Sequence, residues 1–94
     1  MIRRRKGLTT ARATGLTEKE HEALYAELFE RQDGGCAICG TSPKVGGRRL
    51  HVDHCHKTGV IRGLLCWRCN TGLERFRDNP DTLIQAAAYT RRTL

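Results

Sequence analysis

The sequence predicts a small α+β domain in which a bound zinc ion clamps a β-hairpin to a helix, with a further helix on each side. Three observations carry this prediction. Two Cys-x-x-Cys pairs, Cys36/Cys39 and Cys66/Cys69, enclose a stretch with strand-like alternation. Four thiolates at such spacing suit the tetrahedral coordination of a structural zinc ion. Signals for helix starts precede the first pair and follow the second, so helices should flank the hairpin.

The length and composition favour one domain that depends on a metal. A chain of 94 residues with 38% apolar and 5% aromatic residues is short of material for a self-sufficient core. A metal or a cross-link is therefore expected to supply part of the stability. We expect residues 16–94 to form a single zinc-stabilised domain. Residues 1–15 should form a flexible basic arm, which either reaches phosphates or is simply solvated.

The charge and the cysteine count limit the partners and the compartment. The chain has 17 Lys and Arg against 10 Asp and Glu, a net charge of +7. This excess favours nucleic acid as the partner, although charge that only maintains solubility is the alternative. No stretch approaches the ~20 apolar residues of a membrane span, and no apolar signal region follows the basic N-terminus. Because five cysteines is an odd number, we expect reduced thiols in the cytoplasm rather than two disulfides.

The first predicted helix follows Thr17, whose hydroxyl can cap it, and should extend to about Arg31. Leu24 and Leu28 share one face of this helix with His21. We assign His21 to that face rather than to a metal site. Two glycines then end the helix and lead the chain to the first cysteine pair.

The middle of the chain predicts an antiparallel hairpin followed by a helix. Residues 50–54 alternate in the manner of a half-buried strand, residues 55–59 form the turn, and residues 60–65 form the return strand. The next helix should begin on the second cysteine pair at Cys66 and extend to about Arg77.

Asn79 and Pro80 mark the start of a last helix, as N-cap and first helical residue. This helix should extend to about Arg92. Its apolar residues are expected to pack on the domain, namely Leu83, Ile84, Ala87 and Ala88.

Metal-binding and proton-accepting groups lie in the hairpin and directly after the last cysteine. Asp53 offers a carboxylate oxygen and Asn70 an amide oxygen, which Mg²⁺ accepts beside water and phosphate oxygens. His54 could activate a water for attack on phosphorus, since a neutral imidazole titrates near working pH. His56 could bind the scissile phosphate or assist proton transfer. Together they predict a one-metal phosphodiesterase; the alternative is a second zinc site or a satisfied polar turn.

The order Cys-x-x-Cys, Val-Asp-His-x-His and Val-x-Arg-Gly-Leu-Leu-Cys-x-x-Cys-Asn resembles the recombination endonuclease VII family of phage proteins, within the HNH, or His-Me finger, nucleases. The resemblance covers roughly residues 36–89. It implies a ββα-metal core beside the four-cysteine zinc, and a DNA endonuclease that leaves 5′-phosphate and 3′-hydroxyl ends. By position, it implies that Asp53 and Asn70 bind Mg²⁺ or Mn²⁺, that His54 is the general base, and that His56 contacts substrate.

The resemblance also implies that Arg62 contacts backbone phosphates, the alternative being an exposed strand charge. Junction-resolving members carry an acid three places after the metal-binding Asn, where this chain has Leu73. The next residue, Glu74, is turned by ~100° on a helix, so we expect a solvated acid there. Those members are also intertwined dimers with a longer C-terminal part. A nicking or double-strand endonuclease therefore fits better than a junction resolver.

Two other functions stay open at the level of sequence. A zinc-containing module could bind nucleic acid without cutting it, and an accessory factor in phage DNA packaging could cut only with other phage proteins. The zinc ligands and the net charge suit a binder equally well. Asp53, His54 and Asn70 favour an enzyme, because a binder needs no base beside an open metal site. We expect DNA, contacted through its backbone, as the partner in the cytoplasm of the host bacterium.

Overall fold

A computed structural model describes residues 15–43 and 48–93. Its regular elements are α1 (Glu18–Arg31), β1 (His51–His54), β2 (Ile61–Leu65), α2 (Trp67–Arg75) and α3 (Pro80–Arg91). The α+β class is confirmed: a two-stranded antiparallel sheet leads directly into a helix, with one helix before and one after. The predicted basic arm lies almost wholly outside the described residues, and a single domain over residues 16–94 stays a prediction. None of the described helices has both the length and the apolar character to span a membrane.

α1 begins and ends where the capping pattern predicts. The Thr17 hydroxyl accepts a hydrogen bond from the Glu20 amide at 3.1 Å, and the Glu20 carboxylate accepts one from the Thr17 amide at 2.9 Å. This reciprocal pair is the capping box. One side of the helix meets the core through buried Leu28 and partly buried Tyr25.

The hairpin contains a β-bulge that the sequence pattern did not predict. Asp53 lies opposite Gly63, whereas His54 lies opposite Ile61, so Arg62 is an extra residue on β2. A bulge of this kind breaks the alternation of a strand and redirects the side chain at the extra position. Here the bulge directs the Arg62 side chain toward Asp53.

The core lies between α1, the hairpin and the first cysteine pair. Its buried apolar residues within the described part of the chain are Leu28, Cys36, Leu50, Ile61, Leu64 and Leu65. Full burial of an aliphatic side chain contributes roughly 1.5–3 kcal/mol, and the ordering of the backbone opposes it. So small a core agrees with the expectation that a bound metal supplies further stability.

α2 begins on the second cysteine pair, as predicted, with Cys66 as its N-cap. It ends at Arg75, two residues before the predicted end, because Arg77 and Asp78 adopt left-handed φ angles of 57° and 56°. The Asp78 amide donates to the Leu73 carbonyl at 2.7 Å, and the Arg77 amide donates to the carbonyl of Glu74 at 2.8 Å. This is the Schellman arrangement of a helix end. It turns the chain back toward the hairpin.

α3 begins as predicted, since the Asn79 side chain accepts from the amides of Asp81 and Thr82 at 2.9 and 3.2 Å. The prediction that it packs on the domain was wrong at three of its four apolar positions, which are exposed: Ile84, Ala87 and Ala88. Leu83 is half-buried. The core is closed by α1, the hairpin and α2, so it leaves α3 largely in solvent. Small apolar residues at helical spacing occur both in helices that pack on a core and in helices exposed to solvent, so this pattern does not distinguish them.

One side chain joins the end of α1 to the hairpin. Gln32 Nε2 donates to the carbonyls of Gly35 and Leu64 at 2.7 and 3.0 Å, and Gln32 Oε1 accepts from the Leu64 amide at 2.9 Å. A Cβ atom at Gly63 would lie 2.9 Å from this Oε1, so a side chain there would displace the Gln32 amide from its present position. The Ala37 amide also donates to the Leu64 carbonyl, at 3.0 Å.

We predict that Gln32→Ala lowers the free energy of unfolding by about 1–3 kcal/mol, because the buried Leu64 amide loses its partner. Urea unfolding at a fixed metal concentration, followed by circular dichroism, measures this change. Gln85→Ala removes the same side chain from an exposed position on α3 and should cost less than about 0.5 kcal/mol. Equal stability of the two variants would contradict the role given to Gln32.

Candidate metal centre and polar cavity

The four predicted zinc ligands converge in the structure. The Sγ atoms of Cys36, Cys39, Cys66 and Cys69 all lie within 4.8 Å of one another, and those of Cys39 and Cys66 are 3.6 Å apart. Tetrahedral Zn–S bonds of ~2.3 Å require sulfur atoms about 3.8 Å apart. The cluster can therefore hold a metal ion such as zinc, as the sequence predicts.

The first cysteine pair is shaped by two glycines that the backbone requires. Gly40 has a left-handed φ of 81°, which allows the tight turn after the second cysteine of the pair. A Cβ atom at Gly35 would lie 2.6 Å from the Gly40 carbonyl oxygen, so that position admits no side chain. Inside the turn, the Ile38 amide donates to Cys36 Sγ at 3.4 Å. Backbone donors directed at sulfur favour the thiolate that a metal needs.

The thiols of the cluster differ in acidity. The hydroxyl of Thr41 lies 3.2 Å from Cys39 Sγ. This hydrogen bond is the main reason why the pKa of Cys39 is lowered to about 6. Burial opposes ionisation of Cys36, but backbone donors outweigh it and lower the pKa of this thiol. Burial and the neighbouring thiols raise the pKa of Cys69. A bound cation would favour the ionised form of each sulfur.

The fifth cysteine lies outside the cluster. Cys55 is half-buried in the hairpin turn, where its amide donates to the Val60 carbonyl at 2.8 Å. Contacts with Thr58 lower the pKa of its thiol. Cys55 therefore differs from the other four in position, which makes it a useful control.

A polar cavity of about 140 Å³ lies between the hairpin and α2. It is lined by every residue that the sequence predicts for catalysis or substrate contact: Asp53, His54, His56, Arg62 and Asn70. The prediction that these side chains meet is therefore supported by their positions, while their roles stay predictions.

Three different segments supply these side chains. Asp53 and His54 come from β1, on either side of the shift in register, and His56 comes from the turn. The rings of His54 and His56 lie 5.2 Å apart between centroids, with a tilt of 43°. Asn70 comes from the first turn of α2, where its amide donates to the Cys66 carbonyl at 2.9 Å. The same helical turn thus belongs to the cysteine cluster and to the cavity.

Arg62 connects two carboxylates in this cavity. Its Nε and Nη2 donate to Asp53 Oδ2 and Oδ1 at 2.7 and 3.1 Å, and its Nη2 also donates to Asp78 Oδ1 at 2.9 Å. The two acidic side chains are only 8% and 13% exposed, which strengthens both ion pairs. The pairs raise the pKa of Arg62, and the contact with Arg62 lowers the pKa of Asp78. The sequence predicted a phosphate contact or an exposed charge for Arg62 and did not predict these partners.

The cavity is also lined by two acidic residues, Asp78 and Glu74, to which the sequence analysis gave no catalytic role. Asp78 was given no role, because it follows the predicted helix and only the left-handed turn at the end of α2 brings it back. Glu74 is exposed, as expected, yet it lines the cavity together with Leu73. An acid next to an Asn-Pro helix start is the signal that could have pointed to Asp78 as a turn residue near the site.

The described residues thus define a small α+β protein that combines a four-cysteine cluster able to hold a metal ion with a polar cavity on one shared helix. The chain belongs to the recombination endonuclease VII family, whose model matches residues 7–92. The resemblance that the motifs predicted is confirmed.

Two relatives are phage proteins. The chain is 42% identical over 81 residues to the Gene 59 protein of Mycobacterium phage D29, across 83% of this chain and 45% of that protein. It is 50% identical over 48 residues to the Gene 59 protein of Mycobacterium phage L5, across 49% of this chain and 27% of that protein. The chain therefore spans less than half the length of these relatives.

Proposed function

We propose that this protein is a divalent-metal-dependent DNA endonuclease of the HNH, or His-Me finger, type, which hydrolyses phosphodiester bonds by nicking or by double-strand cutting. One observation carries the proposal. Asp53, His54, His56 and Asn70 line one cavity in a chain that belongs to the recombination endonuclease VII family. A carboxylate, an imidazole and an amide oxygen beside each other are the groups that metal-assisted hydrolysis of a phosphodiester requires.

In this proposal the four cysteines hold a structural zinc ion. Four thiolates fill a tetrahedral site completely and leave no position for water or substrate, so this ion would stabilise the fold and take no part in the chemistry. It would join the loop after α1 to the first turn of α2. Because Asn70 belongs to that turn, the ion would also fix one side of the polar cavity.

The cavity has donors that fit a hard cation such as Mg²⁺ or Mn²⁺. Asp53 is largely buried and presents two carboxylate oxygens, and Asn70 presents an amide oxygen from the facing helix. Mg²⁺ usually takes one or two protein ligands and completes its shell with water and phosphate oxygens. A cation held here would stabilise the negative charge of the phosphate and of the departing 3′ oxygen.

His54 is the proposed general base. Its imidazole would accept a proton from a water molecule as the water oxygen forms a bond to phosphorus. The bond between phosphorus and the 3′ oxygen breaks, which leaves a 5′-phosphate on one fragment and a 3′-hydroxyl on the other once that oxygen gains a proton. The neighbouring His56 is exposed and would contact the phosphate or assist proton transfer.

Arg62 would compete with the cation for Asp53. Both oxygens of that carboxylate accept hydrogen bonds from the guanidinium group, so a cation bound to Asp53 would meet the positive charge of Arg62 and compete with it for the same carboxylate. Asp78 offers the guanidinium a second anion at 2.9 Å. We infer that Arg62 stays in the cavity through Asp78 when Asp53 turns to the cation, and that its free donors then contact the DNA backbone.

The alternative is a zinc-containing module that binds nucleic acid without cutting it. The net charge of +7 suits this function, and the ion pair with Arg62 already neutralises Asp53. A packaging accessory that cuts only with other phage proteins is a further possibility. The family match supports DNA as the ligand under each of these proposals, and the phage relatives support action in the host bacterium, where we place it in the cytoplasm.

We predict that His54→Ala lowers the rate of plasmid cutting at least ~100-fold with Mg²⁺ or Mn²⁺, because the attacking water loses its general base. Conversion of supercoiled plasmid to nicked or linear forms measures the rate. His51→Ala is the matched control, since His51 lies exposed on the same strand and outside the polar cavity. If the unmodified protein shifts DNA but cuts it with neither metal, the binding module is favoured instead.

We predict that Cys36→Ser loses bound zinc and most of its helical circular dichroism signal, because a three-thiolate site no longer closes the fold. The unmodified protein should contain one zinc ion per chain, as measured by elemental analysis. Cys55→Ser removes a cysteine outside the cluster and should keep both the zinc and the fold. A folded Cys36→Ser protein with full activity would exclude a structural role for the cluster.

We predict that Arg62→Gln raises the affinity for Mn²⁺ in the absence of DNA about tenfold, or by ~1.4 kcal/mol. The reason is that Asp53 loses the guanidinium group that competes with the metal ion. Titration calorimetry measures the affinity. Arg75→Gln makes the same change in net charge at the exposed end of α2 and should leave Mn²⁺ binding nearly unchanged. Unchanged or weaker Mn²⁺ binding by the Arg62 variant would show that Arg62 and the cation do not compete.

A further inference from the structure

A second and larger groove, of about 690 Å³, lies beside the cysteine cluster. Besides three of the cluster's cysteines, its lining includes Arg48, Trp67 and Arg68. Neither the predicted metal sites nor the catalytic proposal uses these three side chains. No acidic residue is among the described residues that line this groove.

Trp67 is an unusual residue to find in such a groove. It is the first residue of α2, it is 49% exposed, and it is not part of the hydrophobic core cluster. The guanidinium carbon of Arg48 lies 5.2 Å from the centre of its ring, within the range of a cation–π contact. The chain thus keeps its only tryptophan at the surface, with an arginine beside the ring. A large exposed aromatic ring of this kind is suited to recognise another flat ring.

The charges around the ring allow two interpretations. Four thiolates around a divalent cation carry about two negative charges in excess, and Arg48 and Arg68 could simply balance them. That balance gives no reason for an exposed indole ring. A nucleic-acid strand accounts for both features, because it offers bases that stack on the ring and phosphates that pair with the arginines.

We propose that Trp67 stacks against an unpaired nucleobase, while Arg48 and Arg68 contact the phosphates beside that base. The proposal rests on DNA as the ligand and so deepens the proposed function. A regular duplex presents base edges in its grooves and hides base faces, so the site selects single-stranded nucleotides. Stacking on an aromatic residue is worth ~1–3 kcal/mol per base and tolerates any sequence.

The position of Trp67 connects this groove to the polar cavity. Trp67 precedes Asn70 by three residues on α2, so the two side chains lie on neighbouring turns of the same helix side. One helical turn advances only ~5.4 Å along the axis. The two sites are therefore close enough along α2 for one bound strand to reach both.

The single tryptophan makes the test direct. A short oligothymidylate is titrated into the zinc-loaded protein without added Mg²⁺ or Mn²⁺, and the Trp67 fluorescence is followed. Saturable quenching by the single strand, with much weaker quenching by a duplex of the same length, is expected. Absence of quenching at a strand concentration that saturates binding would overturn the proposal, whatever the variants show.

Variants measure the contribution of the ring. Trp67→Ala should weaken binding of a labelled oligothymidylate about 5- to 150-fold, the range that follows from ~1–3 kcal/mol of stacking, and should change duplex binding much less. Trp67→Phe keeps an aromatic ring and should lose less affinity. The control is Phe76→Ala, which removes an exposed aromatic ring at the other end of α2. Zinc content confirms that each variant is folded.

The outcomes separate this proposal from the nuclease. Equal single-strand binding by the unmodified protein, Trp67→Phe and Trp67→Ala would overturn the stacking site even if plasmid is cut. Loss of binding in Trp67→Ala with no cutting by the unmodified protein would support the stacking site and contradict the nuclease.

Discussion

The convergence of four sulfur atoms is the constraint on which the rest of the structure depends. It joins a loop that follows α1 to the first turn of α2, two segments separated in sequence by the whole hairpin. The buried apolar core is small, and α3 adds no fully buried residue to it. A metal ion bound at this point would therefore fix the position of α2 against the sheet, and with it the distance across the polar cavity.

The second determinant of the polar cavity is the β-bulge in the sheet. In a regular hairpin the side chains of β2 would alternate strictly between the two faces. The extra residue at Arg62 interrupts this alternation and brings the guanidinium within 2.7 Å of Asp53. The left-handed turn after α2 then supplies Asp78 as a second acid. The β-bulge and the left-handed turn, which belong to different elements, thus place Arg62 between two acids. In this arrangement the buried carboxylate of Asp53 has a positively charged partner.

Local signals in the sequence were sufficient for most of the fold. The Thr17 capping box, the Asn79–Pro80 helix start and the spacing of the cysteines each specify a structure within a few residues, and each is found in the molecule. The residues of the polar cavity could be named because their side chains are metal donors or proton acceptors, and because the order of the motifs resembles a known family. The β-bulge, the role of Asp78 and the exposure of α3 could not be predicted, because they depend on how distant segments pack and on backbone conformations that no pattern of residue types specifies.

The contacts of Gln32 also bear on whether another strand can add to the sheet. A two-stranded sheet has two open edges, and unpaired backbone groups on an edge invite another strand to add. At the centre of β2 these groups are already occupied, since the Gln32 amide and the Ala37 backbone bond to Leu64. A third strand would therefore find no free backbone hydrogen-bond donor or acceptor at Leu64. Edge-to-edge polymerisation through the outer edge of β2 is thus blocked at its centre.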